Sequence, residues 1–598
     1  MAIAQNFPTI SPSLLLDFAN VQALDPRITY ARASTATYYG TRTALAEQNL
    51  LLQSQTFDNA SWAKTGLSVT ADSTTAPDGT TTAETITGTS TTNGVIFNNA
   101  GVSVTANVCT NSIFIKAGTA DFGVISIWTG SANNGANVWF NAQTGALTGS
   151  TSVTAGYTIT SSSSTAINSG WFRITISATV PAATLYLSVR IVDTDNAYVY
   201  TNTVGKTLLL WGAQLEQRST VTAYTPTTTQ PITNYIPTLE TAASGVARFD
   251  HNPTTFESLG LLIEQQSTNL LTYSEQFDNA AWTKLNSTVT ANTFIAPDGT
   301  LTGDLFIPNV GAASGRLSRA LSQTGVITVS VYAKANGITG FRFGSLGNGG
   351  SQQFNLLTGQ LGATTGIIIS AEMIDVGNGV YRCVATWNQT VSNTLYIDNN
   401  GFEVGNGYSG IYIWGAQLEA LAFPTSYIQT VASQVTRAAD SATMTGTNFS
   451  SWYNQAQGSI YAEVTTPVPA SVVAPGFIWY ATDGTANNRI ELRQQNSGDA
   501  SPRINTLFRV SAVTTVNMTV QTTTIGWTAN NIASAKITLG YQVNDVYLTS
   551  DKANAAVTDL DTTMPPISDV LFSHTGHYKK LSYYPLRLSN TNLQALTG

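Results

Sequence analysis

Histidine is nearly absent from this chain, with three in 598 residues: His251, His574 and His577. So few imidazoles leave Ser/His/Asp triads and multi-histidine metal sites almost without raw material. Cysteine is scarcer still. Cys109 and Cys383 lie 274 positions apart, so no structural disulfide is expected and nothing demands an oxidising compartment. Charge is also low: Asp, Glu, Lys and Arg make up 10% of the chain, against about 25% in an ordinary globular protein. The net charge of −8 comes without a basic cluster, which removes the counterion-releasing surface that DNA and RNA binders need. No apolar run approaches the roughly 20 residues that span a bilayer. The first ten residues have neither a basic start nor a long apolar core, so no signal peptide and no membrane insertion are expected. Walker loops, GxSxG elbows and strand-linked GxGxxG turns are missing too.

Aromatic and β-branched residues are plentiful. The 11 Trp, 24 Tyr and 22 Phe sit among abundant Thr, Val and Ile, which mark a folded, strand-rich chain rather than a disordered one. At roughly 150 residues per domain the length suggests about four structural units.

Self-comparison shows how these units arise. Residues 49–70, NLLLQSQTFDNASWAKTGLSVT, align without gaps on residues 269–290, NLLTYSEQFDNAAWTKLNSTVT, with 12 of 22 positions identical. The turn sequence APDGT follows in both copies at the same offset of 220, and the hexapeptide WGAQLE closes both, at Trp211–Glu216 and Trp414–Glu419, where the offset has fallen to 203. Deletions that spare the shared motifs are those that surface loops on a common scaffold tolerate. Within each copy, short alternating runs such as 112–116, 124–128, 171–177, 185–192 and 208–211 are separated by Gly, Asn, Ser and Thr. Many short strands without 3.6-residue periodicity predict an all-β chain of tandem antiparallel sandwiches of jelly-roll type.

The expected organisation is an amino-terminal segment, 1–48; repeat 1, 49–226; a Thr- and Pro-rich connector, 227–268, ending in a hairpin of 246–250 with 260–264; repeat 2, 269–428; a polar linker, 429–448; and a third sandwich, 449–598. Ser589 or Asn590 is placed to cap one short terminal helix.

Little here reads as catalysis. His574 and His577 lack further ligands at zinc spacing. Asp193 and Asp195 in IVDTDNAY are turn formers, or oxygen ligands of a structural calcium. Glu216 and Glu419 recur in both copies, which makes them structural before catalytic, and Trp62/Trp282 and Trp211/Trp414, being equivalent, read as core. The unpaired aromatics are the better candidates for function, because sugar rings stack on Trp and Tyr while Asn, Asp and Arg bind hydroxyls. Trp128 and Trp139 flank the loop SANNGAN, and Tyr480, Asp483, Asn488 and Arg489 surround the polar tip of WYATDGTANNR. These six are the candidate carbohydrate contacts; a plain hairpin turn and ordinary core packing are the competing readings. No catalytic residue, metal or cofactor is expected.

The phrases LDPRITYARASTATYY, ASGVARFDHNPTTFESLGLLIEQQSTNLL and FDNAxW…APDGT…WGAQLE resemble those of bacteriophage tail-fibre and head-spike-fibre proteins. That resemblance implies carbohydrate-binding-module-like repeats, a laminin-G or concanavalin-like lectin domain at the C-terminus, and a virion surface protein made without a signal peptide. It also implies a homotrimer or other homo-multimer, an amino-terminal segment that docks on another virion protein, and contact with host-surface glycans. Against it stand the missing heptads, collagen-like repeats and β-helix ladder, so a long shaft is not expected. Besides a non-enzymatic adhesin, a head or tail decoration protein without sugar binding, a polysaccharide depolymerase and a cellular adhesin are the alternatives.

Overall fold

The computed structural model describes residues 10–598 apart from 92–93, 130–134, 153–155, 168, 193–203, 347–349, 367, 392, 469–475, 497–501, 522–534, 554 and 561. Asp193 and Asp195 therefore lie outside the described residues, as does most of the SANNGAN loop. Antiparallel strands build three sandwiches. Among the described residues helix is confined to Phe18–Val21, Thr447–Ser450 and Asn590–Thr597. The last of these is capped by Ser589, whose hydroxyl accepts the Asn592 N–H at 3.3 Å.

Repeats 1 and 2 share one topology, repeat 1 adding the short strand Val102–Val104 beside Ala183–Val192. In repeat 1, one sheet runs Thr158–Ala166, Trp171–Val180, Asn107–Ala117, Thr207–Glu216, Ala83–Gly88, Leu67–Thr74. In repeat 2 the same order is Ile368–Asp375, Tyr381–Gln389, Gly325–Asn336, Gly410–Glu419, Gly303–Pro308, Ser287–Phe294. The opposing sheets match as well: Leu147–Ser152, Gly135–Asn141, Phe122–Trp128, Ala183–Val192 and Val95–Asn98 answer to Gln360–Thr365, Gly350–Asn355, Gly340–Ser345, Asn393–Asp398 and Arg316–Leu321. Alternation along these strands sends Ile113, Ile125, Ile127, Phe140, Ile174 and Leu187 into one core and Val331, Phe341, Phe343, Phe354, Cys383 and Ile397 into the other.

The repeated motifs work at the sandwich ends. Asn49 and Asn269 open the copies fully buried with every amide lone pair and proton engaged. Asn49 Nδ2 donates to the carbonyls of Ala213 and Thr225, both at 2.9 Å, and Oδ1 accepts from Leu51 and Leu215. Asn269 repeats the pattern with Ala416, Ile428, Leu271 and Leu418. Trp62 and Trp282 lie in the cores, their indole N–H groups donating to Gln53 O and Tyr273 O.

The third sandwich gathers more of the chain than residues 449–598. Leu14–Leu16 pairs with Gly576–Tyr584, Thr29–Ala31 pairs with Ser441–Thr445, and the hairpin Arg248–His251/Ser258–Ile263 adds to the edge of the Gly576–Tyr584 sheet. The amino-terminal segment, read as a docking arm, thus contributes strands here. The reason is burial: Leu14, Leu16, Phe18 and Ile28 join Trp452, Trp479 and Tyr583 in one core. Part of the connector is a strand as well, Ile232–Ala242, which pairs with Ala36–Asn49 in a long two-stranded ribbon. Pro237 is accommodated beside a register shift between Pro237 and Leu239.

Candidate functional site

The hexapeptide WGAQLE is structural at every position. Trp211 points out of the sandwich against Phe114 and Tyr224, with ring centroids 5.1 and 4.7 Å away. Gly212, at φ +62°, forms the bulge at which the pairing register shifts between Trp211 and Gln214. Gln214 Oε1 then accepts the Thr225 N–H at 2.8 Å, and Glu216 accepts the Thr222 N–H at 3.0 Å together with the Thr222 hydroxyl. Gly415, Gln417 and Glu419 repeat this on Ile428 and Thr425. Burial pushes Glu216 above the usual carboxylate range. Glu216 and Glu419 therefore hold the chain that leaves the sheet.

Trp128 and Trp139 lie on the outer face of the opposing sheet of repeat 1. Trp139 faces Val124 across the strand pair and Trp128 is two alternations further on, so both project to one side. Ser126, Asn137, Tyr186, Ser188, Arg190 and Phe97 share that face by register. Phe97, Trp128 and Tyr186 form an aromatic triangle with centroid separations of 5.5, 5.9 and 6.1 Å. The Arg190 guanidinium sits 5.6 Å from the Trp128 ring. Ser126 donates to Asn137 Oδ1 at 2.6 Å. The Trp128 indole N–H has no hydrogen-bond partner among the described residues. Trp128 is 9% exposed and Trp139 2%, while Phe97 and Tyr186 are half-buried. The open part of this face is thus the Phe97–Tyr186 side.

The equivalent face of repeat 2 has changed chemistry. Where repeat 1 has Val95, Val124 and Arg190, repeat 2 places Arg316, Arg342 and Asp398. Asp398 receives Arg342 at 2.7 and 3.0 Å and Arg316 at 3.1 Å. Both guanidinium groups lie over the Tyr396 ring, 5.3 and 4.8 Å from its centroid. The Trp139 position is Gln353, bonded to Asn400 O.

The second candidate group lies on another domain. Tyr480 packs on Phe477 at 4.6 Å. Asp483, held below the ordinary Asp range by hydrogen bonds from Thr485 and Asn488, accepts the Thr485 N–H at 2.9 Å and Asn488 Nδ2 at 2.7 Å. Arg489 donates to Glu491 and to Ala486 O, and Asn488 Oδ1 accepts the Ser511 N–H. The tip is a hairpin turn whose polar groups are satisfied within itself and by the neighbouring hairpin. Strands of different sheets carry the two groups of candidates, so they do not form one site.

The histidines are used in packing. His577 Nε2 meets Asp250 Oδ2 at 2.8 Å and its Nδ1 meets Thr465 Oγ1 at 2.9 Å. His574 Nε2 meets Thr465 O at 3.1 Å, and burial drops its pKa to about 4. No cluster of three or more metal-ligating side chains occurs among the described residues, and no helix among them is long and apolar enough to cross a membrane.

No protein-family model matches the chain, and no curated protein matches it. Similar solved structures include the NanB sialidase of Streptococcus pneumoniae, at TM-score 0.21 and 10% identity over 25% of each chain. Another is the CBM40 of the Ruminococcus gnavus IT-sialidase bound to α2,6 sialyllactose, at TM-score 0.20 and 15% identity over 25% of this chain and 88% of that one. The CBM22 tandem of Paenibacillus barcinonensis Xyn10C matches at TM-score 0.18 and 10% identity, over 64% of this chain and all of that one. The chain spans about a quarter of the length of the sialidase it matches. At such scores the likenesses carry no functional argument, and the sandwich assignment rests on the strand pairing described above.

Phe97, Tyr186 and Arg190, and the Arg316–Asp398–Arg342 group, escape motif reading because they come from different strands: Phe97 from Val95–Asn98, Tyr186 and Arg190 from Ala183–Val192, and Arg316, Asp398 and Arg342 from three strands of repeat 2. Only the two-residue alternation beside Trp128, extended across the sheet, brings them together.

Proposed function

We propose that this chain is a non-catalytic, glycan-binding protein of the bacteriophage virion surface, a tail fibre or spike that attaches the particle to host-cell glycans. The aromatic triangle Phe97–Trp128–Tyr186, with Arg190 over Trp128, carries this reading. The half-buried Phe97 and Tyr186 rings supply faces for sugar C–H groups. The phrases shared with fibre proteins support the virion location, other virion structural proteins as partners and a homotrimer or other homo-multimer as the assembly. Tyr480, Asp483, Asn488 and Arg489 remain a secondary contact in this proposal, available where the hairpin tip opens.

Fluorescently labelled protein is expected to bind host cells saturably and to block phage adsorption, with Trp128→Ala weakening binding at least tenfold. A folded, multimeric protein that neither binds nor blocks would sink the reading. The second reading, a structural decoration protein without sugar binding, draws on the depth of Trp139 and the self-satisfied hairpin tip, and that result would favour it.

A further inference from the structure

The outer face of the hexapeptide sheet is built alike in the two repeats but covered differently. In repeat 2, Tyr332, Arg382 and Tyr427 are roofed by the ribbon residues Tyr38 and Tyr39 and by His577 of the third sandwich, leaving a cavity of about 80 Å³. In repeat 1 the equivalent residues Phe114, Arg173 and Tyr224 look across at repeat 2, and the cleft between the repeats has about 410 Å³. That volume falls within the roughly 300–1,000 Å³ of small-ligand sites. Asn292, Asn336, Tyr408 and Tyr412 form the far wall, and their side chains make no hydrogen bond to another described residue.

The two arginines are held by the same bonds. Arg173 donates to Thr222 O at 2.7 Å and to Ser112 Oγ at 3.0 and 3.3 Å. Arg382 donates to Thr425 O at 2.8 Å and to Ser330 Oγ at 3.1 Å. Glu216 acts electrostatically on Arg173 as the equivalent Glu419 does on Arg382; around Arg382 repeat 2 has Tyr332 in place of Phe114 and one further carboxylate. Glu372, across the strand pair from Val384, acts electrostatically on Arg382. At the matching place in repeat 1, across from Thr175, stands the exposed Ser163. Burial leaves Arg173 below the usual arginine range despite Glu216, whereas Arg382, with Tyr332, Glu419, Tyr39 and Glu372 around it, is lifted above that range, and burial pushes Glu372 itself up to about 7.

We propose that the cleft between the repeats binds a carboxylate-bearing pyranose, a hexuronate unit of a glycan, whose carboxylate takes on Arg173 the place that Glu372 has beside Arg382. The half-buried Tyr408 supplies a ring face, and Asn292 and Asn336 the groups for hydroxyls. The exposed Asp78 stands at the mouth. Its Oδ1 is engaged by the Thr80 N–H and hydroxyl at 2.9 and 2.7 Å, and solvent screens its charge.

This inference rests on the glycan reading above and is tested apart from it. The full chain is titrated with methyl glucuronide and methyl galacturonide, with the uncharged amide of each and with the methyl glycosides of glucose and galactose, reading tryptophan fluorescence and heat. The acids are expected to bind at least tenfold more tightly than their amides. Ser163→Glu, which recreates the repeat 2 carboxylate on an exposed strand, is expected to abolish the preference. Arg173→Gln is expected to do the same; because Arg173 also anchors Thr222, Ser163→Glu is the decisive variant. Equal binding of acid and amide, an unchanged preference in Ser163→Glu, or no binding of any of these sugars would overturn the inference. Host-cell binding that survives Ser163→Glu and falls with Trp128→Ala would show that the glycan reading stands without it; loss of all binding in the unaltered protein would remove both.

Discussion

Glu84 and Asp304 occupy the same place in the two repeats, buried beside the FDNA turn. Glu84 accepts the Asp58 N–H at 3.0 Å and Asp304 the Phe277 N–H at 2.8 Å. Burial pushes Glu84 from 4.5 up to about 7, repulsion by Asp58 adding and the backbone bonds opposing, and burial pushes Asp304 from 3.8 up to about 6. A raised native pKa means that the folded state holds the proton more tightly than the unfolded chain. The contribution of each carboxyl is therefore complete below its unfolded value and is lost as pH rises through the folded one. Glu84→Gln keeps the acceptor and removes the charge. It is expected to stabilise the protein by about 1 kcal/mol near pH 8, after allowance for solvent screening, and to leave stability unchanged near pH 4. Melting curves across pH check this, and a gain as large at pH 4 as at pH 8 would refute it. His574 acts in the other direction: its native pKa, down from 6.5 to about 4 through burial, makes its contribution fade as pH falls from about 6.5 through 4. Glu84 and Asp304 stand at the same offset of 220 as the APDGT turn, so their equivalence is readable, but that they and His574 are buried shows only in the structure.

At the scale of elements, the repeat was readable because its fixed points are backbone requirements. Gly212 and Gly415 adopt φ of +62° and +64°. A Cβ at Gly212 would lie 2.9 Å from the Phe114 ring, and one at Gly415 would lie 3.0 Å from the Tyr332 ring. Either Gly→Ala change is expected to cost about 2 to 3 kcal/mol, from backbone strain and the displaced ring together. Gly245→Ala, at φ +75° with nothing within 4 Å of the added carbon, should cost only about 1 kcal/mol from strain. Urea unfolding of the three variants separates the terms, and equal losses would show that the bulge contacts contribute nothing. Strands with clear alternation, such as Phe122–Trp128, were legible for the same local reason. Ile232–Ala242 was not: Pro231, Pro237 and five threonines within 227–238 read as a linker, and only its partner Ala36–Asn49 nearly 200 residues earlier makes it a strand. Of the proposed site, Trp128 and Trp139 were the residues the sequence singled out, whereas Phe97, Tyr186 and Arg190 stayed hidden because sequence order does not reveal which strands are neighbours.

At the scale of the molecule, the fibre-like phrases converge on one buried ionic hub. Arg248, from ARFDH, reaches Asp440 at 2.6 Å and Glu264 at 2.8 Å. Arg32 and Tyr30, from ITYARAS, reach the other oxygen of Asp440 at 3.2 and 2.6 Å. Glu264, from LLIEQQ, also accepts the Ser426 N–H and hydroxyl, both at 2.7 Å, at the end of repeat 2. Four distant stretches are thereby locked together, and the positive charge of Arg248 and Arg437 holds Glu264 far below the usual carboxylate range despite burial. Asp440→Ala leaves the buried Arg32 and Arg248 without their shared counter-charge, which should cost about 3 to 5 kcal/mol. Because the repeats have separate cores, the loss should fall on the third sandwich and its amino-terminal strands. The two buried free thiols report on this. Cys109 lies in the repeat 1 core, where burial pushes its pKa up to about 11, and Cys383 lies in the repeat 2 core with its pKa raised by burial, so neither should react with a thiol reagent while its repeat is folded. In Asp440→Ala, protease is expected to release the first 30 or so residues at denaturant concentrations where both thiols remain shielded. Simultaneous loss of the amino-terminal strands and exposure of both thiols would instead mean that the hub holds all three sandwiches in a single cooperative unit.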